Sequence, residues 1–333
     1  MLRLNSSTIT KRQKIWDISE IPLPLTSRIG TDTVGNSYKE WTVDDLGAPD
    51  VTNAVVDGSD TTTDDNATGN RVGNHCQISV KGLNVSTRAR GSDTIGYSDA
   101  LSRQVMRGQQ RLRRDVEAIM LTVQASQADG GSASATPGQS AGLGAWLETN
   151  TSHGATTGAA GGFNTSTGVC DAPTAGDARA ISETAVRDVA ESVYTQGGNP
   201  TVLMSTPTVI RQLSSYMFTS SARIATAMSD VGQDRSAATA VGAVNVFVTD
   251  FDVVLDMIPN RLQQLETGDL ATAYVITPNM LSIGYLVGYR TEPLSKTGLS
   301  DKRQICVDWT LICKNEKAHG GIFDIDPTLA GIA

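Results

Sequence analysis

SDALSRQVMRGQQRLRRDVEAIMLTVQA, residues 98–125, is the stretch that decides the fold. At about 100° per residue, its apolar residues fall within roughly 60° of one another. Ser98 or Asp99 can cap the start, Gly130–Gly131 can stop the helix, and no proline interrupts the segment. The pattern predicts one unbroken amphipathic helix over residues 98–125. The apolar stripe consists of Leu101, Val105, Leu112, Val116, Ile119 and Val123, and the opposite basic face of Arg103, Arg107, Arg111 and Arg114.

The basic face of this helix is unexpected, because the chain of 333 residues has a formal net charge of −8. A solvated basic face and a nucleic-acid site are two open interpretations. A nucleic-acid site usually adds aromatic side chains for stacking, and Tyr97 is the only aromatic residue nearby. The remaining possibility is an acidic partner. Residues 31–75 carry nine acidic and two basic side chains, whereas residues 88–114 carry seven arginines and two aspartates.

Composition excludes several classes of protein. No apolar run approaches the ~18 residues that a membrane span needs, and the N-terminus lacks the apolar region of a signal peptide. The length suits one large or two modest domains. The cysteines are scattered without a Cys-x-x-Cys pair, which favours reduced thiols in a cytosol over a disulfide framework. They are Cys76, Cys170, Cys306 and Cys313.

Catalytic and metal-binding motifs are nearly absent. Gly138–Gly142 matches the G-x-S-x-G pattern of a hydrolase, but a loop precedes Ser140 where that motif requires a strand. Cys306 and Cys313 point to opposite faces of one strand and cannot share a metal. The acidic run 57–65 lacks the spacing of a calcium loop, which leaves weak cation binding as an open alternative. The sequence therefore predicts no enzyme, no cofactor and no metal site.

The rest of the chain alternates strands and helices. Residues 38–46 and 71–90 are predicted to form a two-stranded arm around an acidic loop, and residues 178–196 a second helix. A third helix should begin at Pro207. Strands at 201–204, 244–251, 253–259, 272–277 and 280–287 should complete one sheet against these helices. The last two strands should surround a charged turn, with one face formed by Ile305, Val307, Trp309, Leu311 and Cys313.

Several stretches resemble one known family. They are KEWTVDDLGAPDVTNAVVDG (39–58), NHCQIS (74–79), GLGAWLETN (142–150), GGNPTVLM (197–204), IPNR (258–261) and KTGLSDKRQICVDWTLICKNEKAHGGI (296–322). Together with the order of elements, they resemble the major capsid proteins of tailed bacteriophages, which have the HK-97 fold. Within that family, the chain is similar to the subfamily related to a podovirus with an elongated head. The resemblance spans most of residues 35–325.

The resemblance implies an α+β class and a division of the chain into parts. The HK-97-like fold would comprise an N-terminal arm, an extended β-hairpin loop, a peripheral domain with a long spine helix, and an α/β axial domain. The implied bounds are 1–34 for the arm, 35–82 for the extended loop, 83–130 for the peripheral domain with its spine helix, 131–176 for an insertion rich in Gly, Ala, Ser and Thr, 177–286 for the axial domain, and 287–333 for returning peripheral strands and the C-terminus.

The function implied by the resemblance is structural. Many copies would self-assemble, as hexamers and pentamers, into an icosahedral or elongated head shell around double-stranded phage DNA, without sequence-specific DNA binding. Scaffolding, portal and cement or decoration proteins are candidate further partners. The location would be the virion, after assembly in the host bacterial cytoplasm and without a membrane. Two alternatives stay open: another virion or tube-forming assembly protein, and a nucleic-acid-binding protein that uses the arginine-rich helix.

Two sets of charged residues are predicted to form contacts between subunits. In the first, loop carboxylates of one copy pair with the helix arginines of the next; the residues are Asp44, Asp45, Asp57 and Asp60 with Arg103, Arg107, Arg111 and Arg114. In the second, the charged turn meets neighbouring copies around a local three-fold axis, through Lys296, Asp301, Lys302 and Arg303. Within one copy, the apolar stripe of the helix is expected to pack on Val307, Trp309 and Leu311.

Overall fold

Two β-sheets and one long helix form the frame of the protein in a computed structural model. It describes residues 23–45, 49–58, 69–92, 99–131, 135–219, 246–251 and 253–329. The helices are α1 (Thr87–Gly91), α2 (Ala100–Met120), α3 (Leu143–Trp146), α4 (Glu183–Thr195) and α5 (Pro207–Thr219), with 3₁₀ turns at Pro278–Met280 and Glu316–Ala318. The strands are β1 (Gly30–Thr33), β2 (Tyr38–Val43), β3 (Asn70–His75), β4 (Gln77–Ser86), β5 (Thr151–Ser152), β6 (Gly162–Asn164), β7 (Val169–Asp171), β8 (Val202–Ser205), β9 (Val246–Val248), β10 (Val254–Pro259), β11 (Ala271–Ile276), β12 (Leu281–Pro293), β13 (Ser300–Cys313) and β14 (Gly320–Ile325).

The long helix α2 is shorter than the sequence predicts. Asp99 caps it, because the carboxylate accepts hydrogen bonds from the backbone N–H groups of Leu101 and Ser102. The helix ends at Met120, not at residue 125, and Gly130–Gly131 play no part in stopping it. The last turn tightens instead: Leu121 N–H bonds to the carbonyl of Ala118, and both the N–H and the hydroxyl of Thr122 bond to the carbonyl of Ile119.

The stripe of α2 packs on a four-stranded sheet in the order β1-β12-β13-β4. Leu112 and Val116 share one core with Val307, Trp309 and Leu311, as predicted. The alternation along β13 is also confirmed, because Ile305 and Cys313 lie in the same core. Gly108 marks the closest approach of helix to sheet. A Cβ atom there would lie 2.7 Å from Cδ1 of Ile305.

The second sheet has six strands in the order β5-β14-β11-β8-β10-β9. β8 and β10 are parallel, whereas β11 runs antiparallel to both β8 and β14. Helices α4 and α5 cover one face, where Val189 and Val209 share a core with Leu203 and Val275. α4 begins at Glu183 with Ser182 as its cap, later than the predicted start at 178. The residues before it are extended, and Arg179 forms a β-bridge with Ile325.

Sheet membership departs from the predicted layout at four strands. β4 was predicted within the second strand of the arm but pairs with β13 in the four-stranded sheet. β12 does not complete the sheet that carries β8 to β11; it lies in the four-stranded sheet, beside β13. β14 follows β13 in the chain but joins the six-stranded sheet. β1, from the segment predicted as an arm, pairs in parallel with β12. Periodicity identifies a strand but not its partner, which explains all four differences.

The predicted two-stranded arm is present only in part, as the antiparallel hairpin of β2 and β3, paired from Tyr38 opposite His75 to Val43 opposite Asn70. The rest of its predicted second strand, residues 71–90, is not in the arm, because β4 pairs with β13 and residues 87–91 form helix α1. Its base rests on the same chain: the indole Nε1 of Trp41 donates to the carbonyl of Cys313 at 3.0 Å, and the hydroxyl of Tyr38 donates to the carbonyl of Gly168 at 2.7 Å. In the ranges given above, no helix combines the length and apolar character that a membrane crossing requires.

Part of the insertion predicted at residues 131–176 belongs to the core. Leu143, Trp146 and Leu147 are fully or almost fully buried in the core beneath α2. The indole of Trp146 lies 5.3 Å from that of Trp41 and stacks on Phe163 at 6.0 Å, measured between ring centroids. The segment therefore joins the base of the hairpin to the main core.

Candidate assembly interfaces

The arginines of α2 differ in their surroundings. Arg111 is exposed, whereas Arg103, Arg107 and Arg114 are half-buried. Arg113, which the helical pattern leaves out of the basic face, places its guanidinium 5.2 Å from the ring centre of Tyr289, a cation–π contact. Three of the four arginines of the predicted basic face are thus partly covered by the rest of the same subunit.

The loop carboxylates do not form one group. Asp44 and Asp57 are exposed. Asp45 pairs within the chain, where Nζ of Lys317 lies 2.5 Å from its carboxylate and Nδ2 of Asn315 lies 3.3 Å away. The hydrogen bond from Lys317 lowers the pKa of Asp45. Asp60 lies outside the described residues. The structure therefore gives Asp45 a second role, as a tie between the hairpin and the 3₁₀ turn Glu316–Ala318.

The charged turn between β12 and β13 is also largely compensated within the chain. Asp301 accepts from the guanidinium of Arg90, and Nζ of Lys296 lies 2.6 Å from its other oxygen. Both partners lower the pKa of Asp301. Nζ of Lys302 donates to the hydroxyl of Thr297 at 2.6 Å. Arg303 is half-buried beside the start of α2.

Apolar side chains are the most exposed feature of both predicted contact regions. Leu299, at the tip of the charged turn, is 87% exposed. In the extended loop, the exposed fractions are 95% for Val51, 80% for Val55 and 79% for Val56. Large apolar side chains at such exposure are candidates for contact with another molecule. Charge patterns in the sequence give no sign of these apolar residues.

Glu117 is a second residue that sequence reasoning missed. Its carboxylate is fully buried on α2, and it accepts the N–H of Leu25 at 2.7 Å and the N–H of Thr26 at 2.9 Å. It also accepts the hydroxyl of Thr26 and Nδ2 of Asn260, the latter at 3.1 Å. One carboxylate thus links residues 25–26, the long helix and the loop after β10. Glu117 stands about 100° from Val116 around the helix, so periodicity gives no sign of it.

Ser140 is a structural residue. It is fully buried, and its hydroxyl oxygen accepts from the N–H of Leu311 at 3.1 Å and from Nδ2 of Asn74 at 3.2 Å. Asn74 also accepts the N–H of Ala141 at 3.0 Å. This network fastens the loop after α2 to β3 and β13. No histidine ring is among the partners of Ser140 in the described ranges, so the G-x-S-x-G match has no base beside it.

The cysteines and acidic groups supply no metal centre in the described part of the chain. Cys76, Cys170, Cys306 and Cys313 are free and buried there. No group of three or more His, Cys, Asp or Glu side chains among those residues could hold a metal ion. Cys306 faces Arg290, whose Nε lies 3.3 Å from its sulfur, whereas Cys313 lies in the core, consistent with opposite faces of β13.

His319 should make the subunit sensitive to acid. It is fully buried, Nδ1 accepts the N–H of Thr277 at 3.3 Å, and burial lowers the pKa of His319 from 6.5 to about 4. Because the folded state favours the neutral ring, its contribution is present above pH 6.5 and is lost as the pH falls toward 4. The loss is expected to be about 3 kcal/mol.

The measurement is the free energy of unfolding in urea at pH 7 and at pH 4.5, for the wild type and for His319→Asn. The asparagine keeps an acceptor for Thr277 but does not titrate in this range. The variant should lose less stability between the two pH values than the wild type does. Parallel losses in the two proteins would contradict the role given to His319.

Comparison with known proteins identifies the family. The model of the SU10 major capsid protein family matches residues 4–326, and no curated protein matches the chain. The capsid of a native GTA particle is similar in structure, with a TM-score of 0.58 and 10% identity, covering 98% of this chain and 96% of that one. The capsid protein of cyanophage P-SCSP1u gives a TM-score of 0.54 and 9% identity, covering 98% and 93%.

A third similar structure is the SrpI encapsulin of Synechococcus elongatus PCC 7942, with a TM-score of 0.52, 11% identity, and coverage of 100% of this chain and 99% of that one. These likenesses confirm the α+β, HK-97-like fold. The family match confirms the resemblance and the structural role. The chain belongs to the SU10 major capsid protein family: it is a structural subunit, not an enzyme, and associates with copies of itself to form the shell of a virion.

Proposed function

We propose that this capsid subunit forms hexamers and pentamers in which the extended loop of each copy lies on the neighbouring copy, with the loop valines as its anchor. The observation that carries the proposal is the exposure of Val51, Val55 and Val56 at the end of a two-stranded hairpin. A lone hairpin is marginal in water, and the described part of its loop, residues 49–58, is exposed throughout. Burial against a second copy would cover it.

Charge would then select the neighbour. Asp44 and Asp57 are exposed on the acidic loop, and Asp60 belongs to the same acidic run. The facing surface in the next copy would be the basic face of α2, with Arg103, Arg107, Arg111 and Arg114. Each exposed pair is worth only about 0–1 kcal/mol, so these pairs would set register more than affinity. Asp45 would hold the hairpin against its own subunit through Lys317.

The charged turn, with Lys296, Asp301, Lys302 and Arg303, would meet other copies around a local three-fold axis. Because these charges are largely compensated within the chain, the contact would depend on Leu299 at the tip. The domain bounds predicted from the resemblance, with 177–286 as the axial domain, remain part of this proposal. So do scaffolding, portal and cement or decoration proteins as partners, and assembly in the host cytoplasm.

The test is the double variant Val55→Asp, Val56→Asp. Both side chains are exposed, so the unfolding free energy of the isolated subunit should change by less than about 0.5 kcal/mol. Burying each valine is worth about 1.5–3 kcal/mol, so subunit association should weaken at least about tenfold. Electron microscopy and sedimentation of the assembly reaction give the particle yield.

The matched control is Val55→Thr, Val56→Thr, which keeps the shape and adds no charge; it should assemble better than the aspartate variant. Leu299→Asp tests the contact of the charged turn by the same two measurements. A normal particle yield from the double aspartate variant would refute the loop contact. A normal yield from Leu299→Asp would refute the contact of the charged turn.

A further inference from the structure

A cavity of about 270 Å³ lies between the six-stranded sheet and the chain that follows α2. Its apolar wall includes Val123, Leu270 and Phe323, and its polar wall includes His153 and Glu266. The exposed residues Thr174, Ala175 and Thr267 form the rim. The cavity is therefore reachable from solvent, and its volume suits a small molecule. Nothing in the assembly contacts proposed above uses it.

His153 forms a buried part of the cavity wall. Its side chain is nine-tenths buried and stacks on Phe323, with ring centroids 4.6 Å apart. Neither ring nitrogen has a hydrogen-bond partner among the described residues; the nearest carboxylate oxygen, on Asp324, is 3.6 Å from Nδ1. Burial lowers the pKa of His153, which keeps the ring neutral. A neutral ring offers one donor and one acceptor, and leaving both unmet is costly.

The charges around the cavity leave one carboxylate without a cation. Arg179 lies near Asp324, and its guanidinium donates to the carbonyls of Phe323 at 3.2 Å and Ser152 at 2.5 Å. Glu266 has no ion pair within the described ranges, and neither lysine nor arginine lines the cavity. The carboxylate accepts a hydrogen bond from the backbone N–H of Val123, and burial raises the pKa of Glu266. A cation from solution would compensate it.

The backbone holds this wall in an unusual conformation. Asp324 has a φ of 62° within β14, which few residues other than glycine adopt. Its carboxylate accepts the N–H of Gly154 at 2.9 Å. Strained residues of this kind persist where the surrounding structure requires them, and they cluster at binding sites.

We propose that the cavity binds a small organic ammonium ion. A metal ion does not suit it, because no group of three ligating side chains is present in the described residues and the wall is mostly apolar. An alkylammonium ion provides both a positive charge for the carboxylate and an apolar group for the cavity wall. The ammonium donates to the carboxylate of Glu266, while the alkyl chain packs on Val123 and Leu270.

The test uses isothermal titration calorimetry of the full-length soluble subunit with 1,4-diaminobutane at neutral pH. Saturable binding of one molecule per chain is expected. 1-Butanol keeps an alkyl chain without the charge, and sodium chloride keeps the charge without the chain; both should bind at least about tenfold more weakly. Absence of saturable binding by the diamine, or equal binding of butanol, would overturn the proposal.

Two variants locate the binding. Glu266→Gln removes the charge-assisted hydrogen bond and should raise the Kd of the diamine roughly tenfold to a hundredfold. Ala175→Phe fills the cavity from its exposed rim and should abolish binding without disturbing the buried groups. Glu292→Gln, at an exposed carboxylate paired with Arg290 on the other sheet, is the matched control and should bind as the wild type does. Unchanged binding by both Glu266→Gln and Ala175→Phe would place the diamine elsewhere and refute the site.

Discussion

Replacing Trp309 with alanine is expected to destabilise the subunit by about 3–5 kcal/mol, because it leaves a large cavity in the core beneath α2. The indole is fully buried, in one core with Leu112, Val116 and Leu311. Its Nε1 also donates to the hydroxyl of Ser79 at 3.1 Å, so the change removes a buried hydrogen bond as well. Urea unfolding of the soluble subunit gives the free energy of unfolding directly.

Trp309→Phe separates the two contributions. Phenylalanine fills much of the space but leaves the Ser79 hydroxyl without its donor, so a smaller loss is expected than for alanine. Leu299→Ala, at a side chain that is 87% exposed, is the control and should change the unfolding free energy by less than about 0.5 kcal/mol. If Trp309→Ala unfolds at the same urea concentration as the wild type, the packing of α2 on β13 is wrong.

Glu117→Ala should be comparably severe, with a loss of about 3–5 kcal/mol. The variant leaves the N–H groups of Leu25 and Thr26 and the side-chain amide of Asn260 without their common acceptor. Each buried donor left unsatisfied costs about 1–3 kcal/mol. Hydrogen exchange should also show faster exchange at residues 25–29, because the carboxylate holds that turn against the helix.

Asp115 offers a matched control two residues away on the same helix. It pairs with Nζ of Lys81 at 2.5 Å, but both side chains are 40% exposed. Asp115→Ala should therefore cost no more than about 1 kcal/mol. Glu117→Gln keeps the size and one acceptor oxygen, yet turns an NH₂ group toward donors, so it should restore only part of the stability. Equal losses for Glu117→Ala and Asp115→Ala would show that the buried carboxylate has no special role.

Local patterns in the sequence predict much of this fold. The amphipathic stripe of α2, the alternation from Ile305 to Cys313 and the helix start at Pro207 all appear in the structure. Each depends on neighbours within one element, which periodicity records. The end of α2 was misplaced because Thr122 closes the helix with its own hydroxyl, a competition between side chain and backbone that no period shows.

Contacts between distant segments of the chain could not be predicted from the sequence. Glu117 meets Leu25 and Asn260 from far along the chain, and one sequence cannot show which donors a carboxylate will find. The same is true of Asp45, which pairs with Lys317 of its own chain. Charge counts predicted an acidic loop and a basic helix, but counting treats every charge as available. The structure shows that Asp301 and Asp45 already have partners, whereas Val51, Val55 and Val56 are left exposed among the described residues.

The four-stranded sheet has a consequence for the order in which a newly made chain can fold. β4 forms its ladder with β13, from Gln77 opposite Trp309 to Ser86 opposite Ser300, more than two hundred residues later in the chain. A ribosome adding ~5–20 residues per second needs roughly 10–40 s to make that stretch. During this time the apolar stripe of α2 has no sheet to cover it. The packing of α2 on β13 and the charged turn with Leu299 are therefore complete only after β13 has emerged, so the contact surface at Leu299 forms late in the synthesis of each copy.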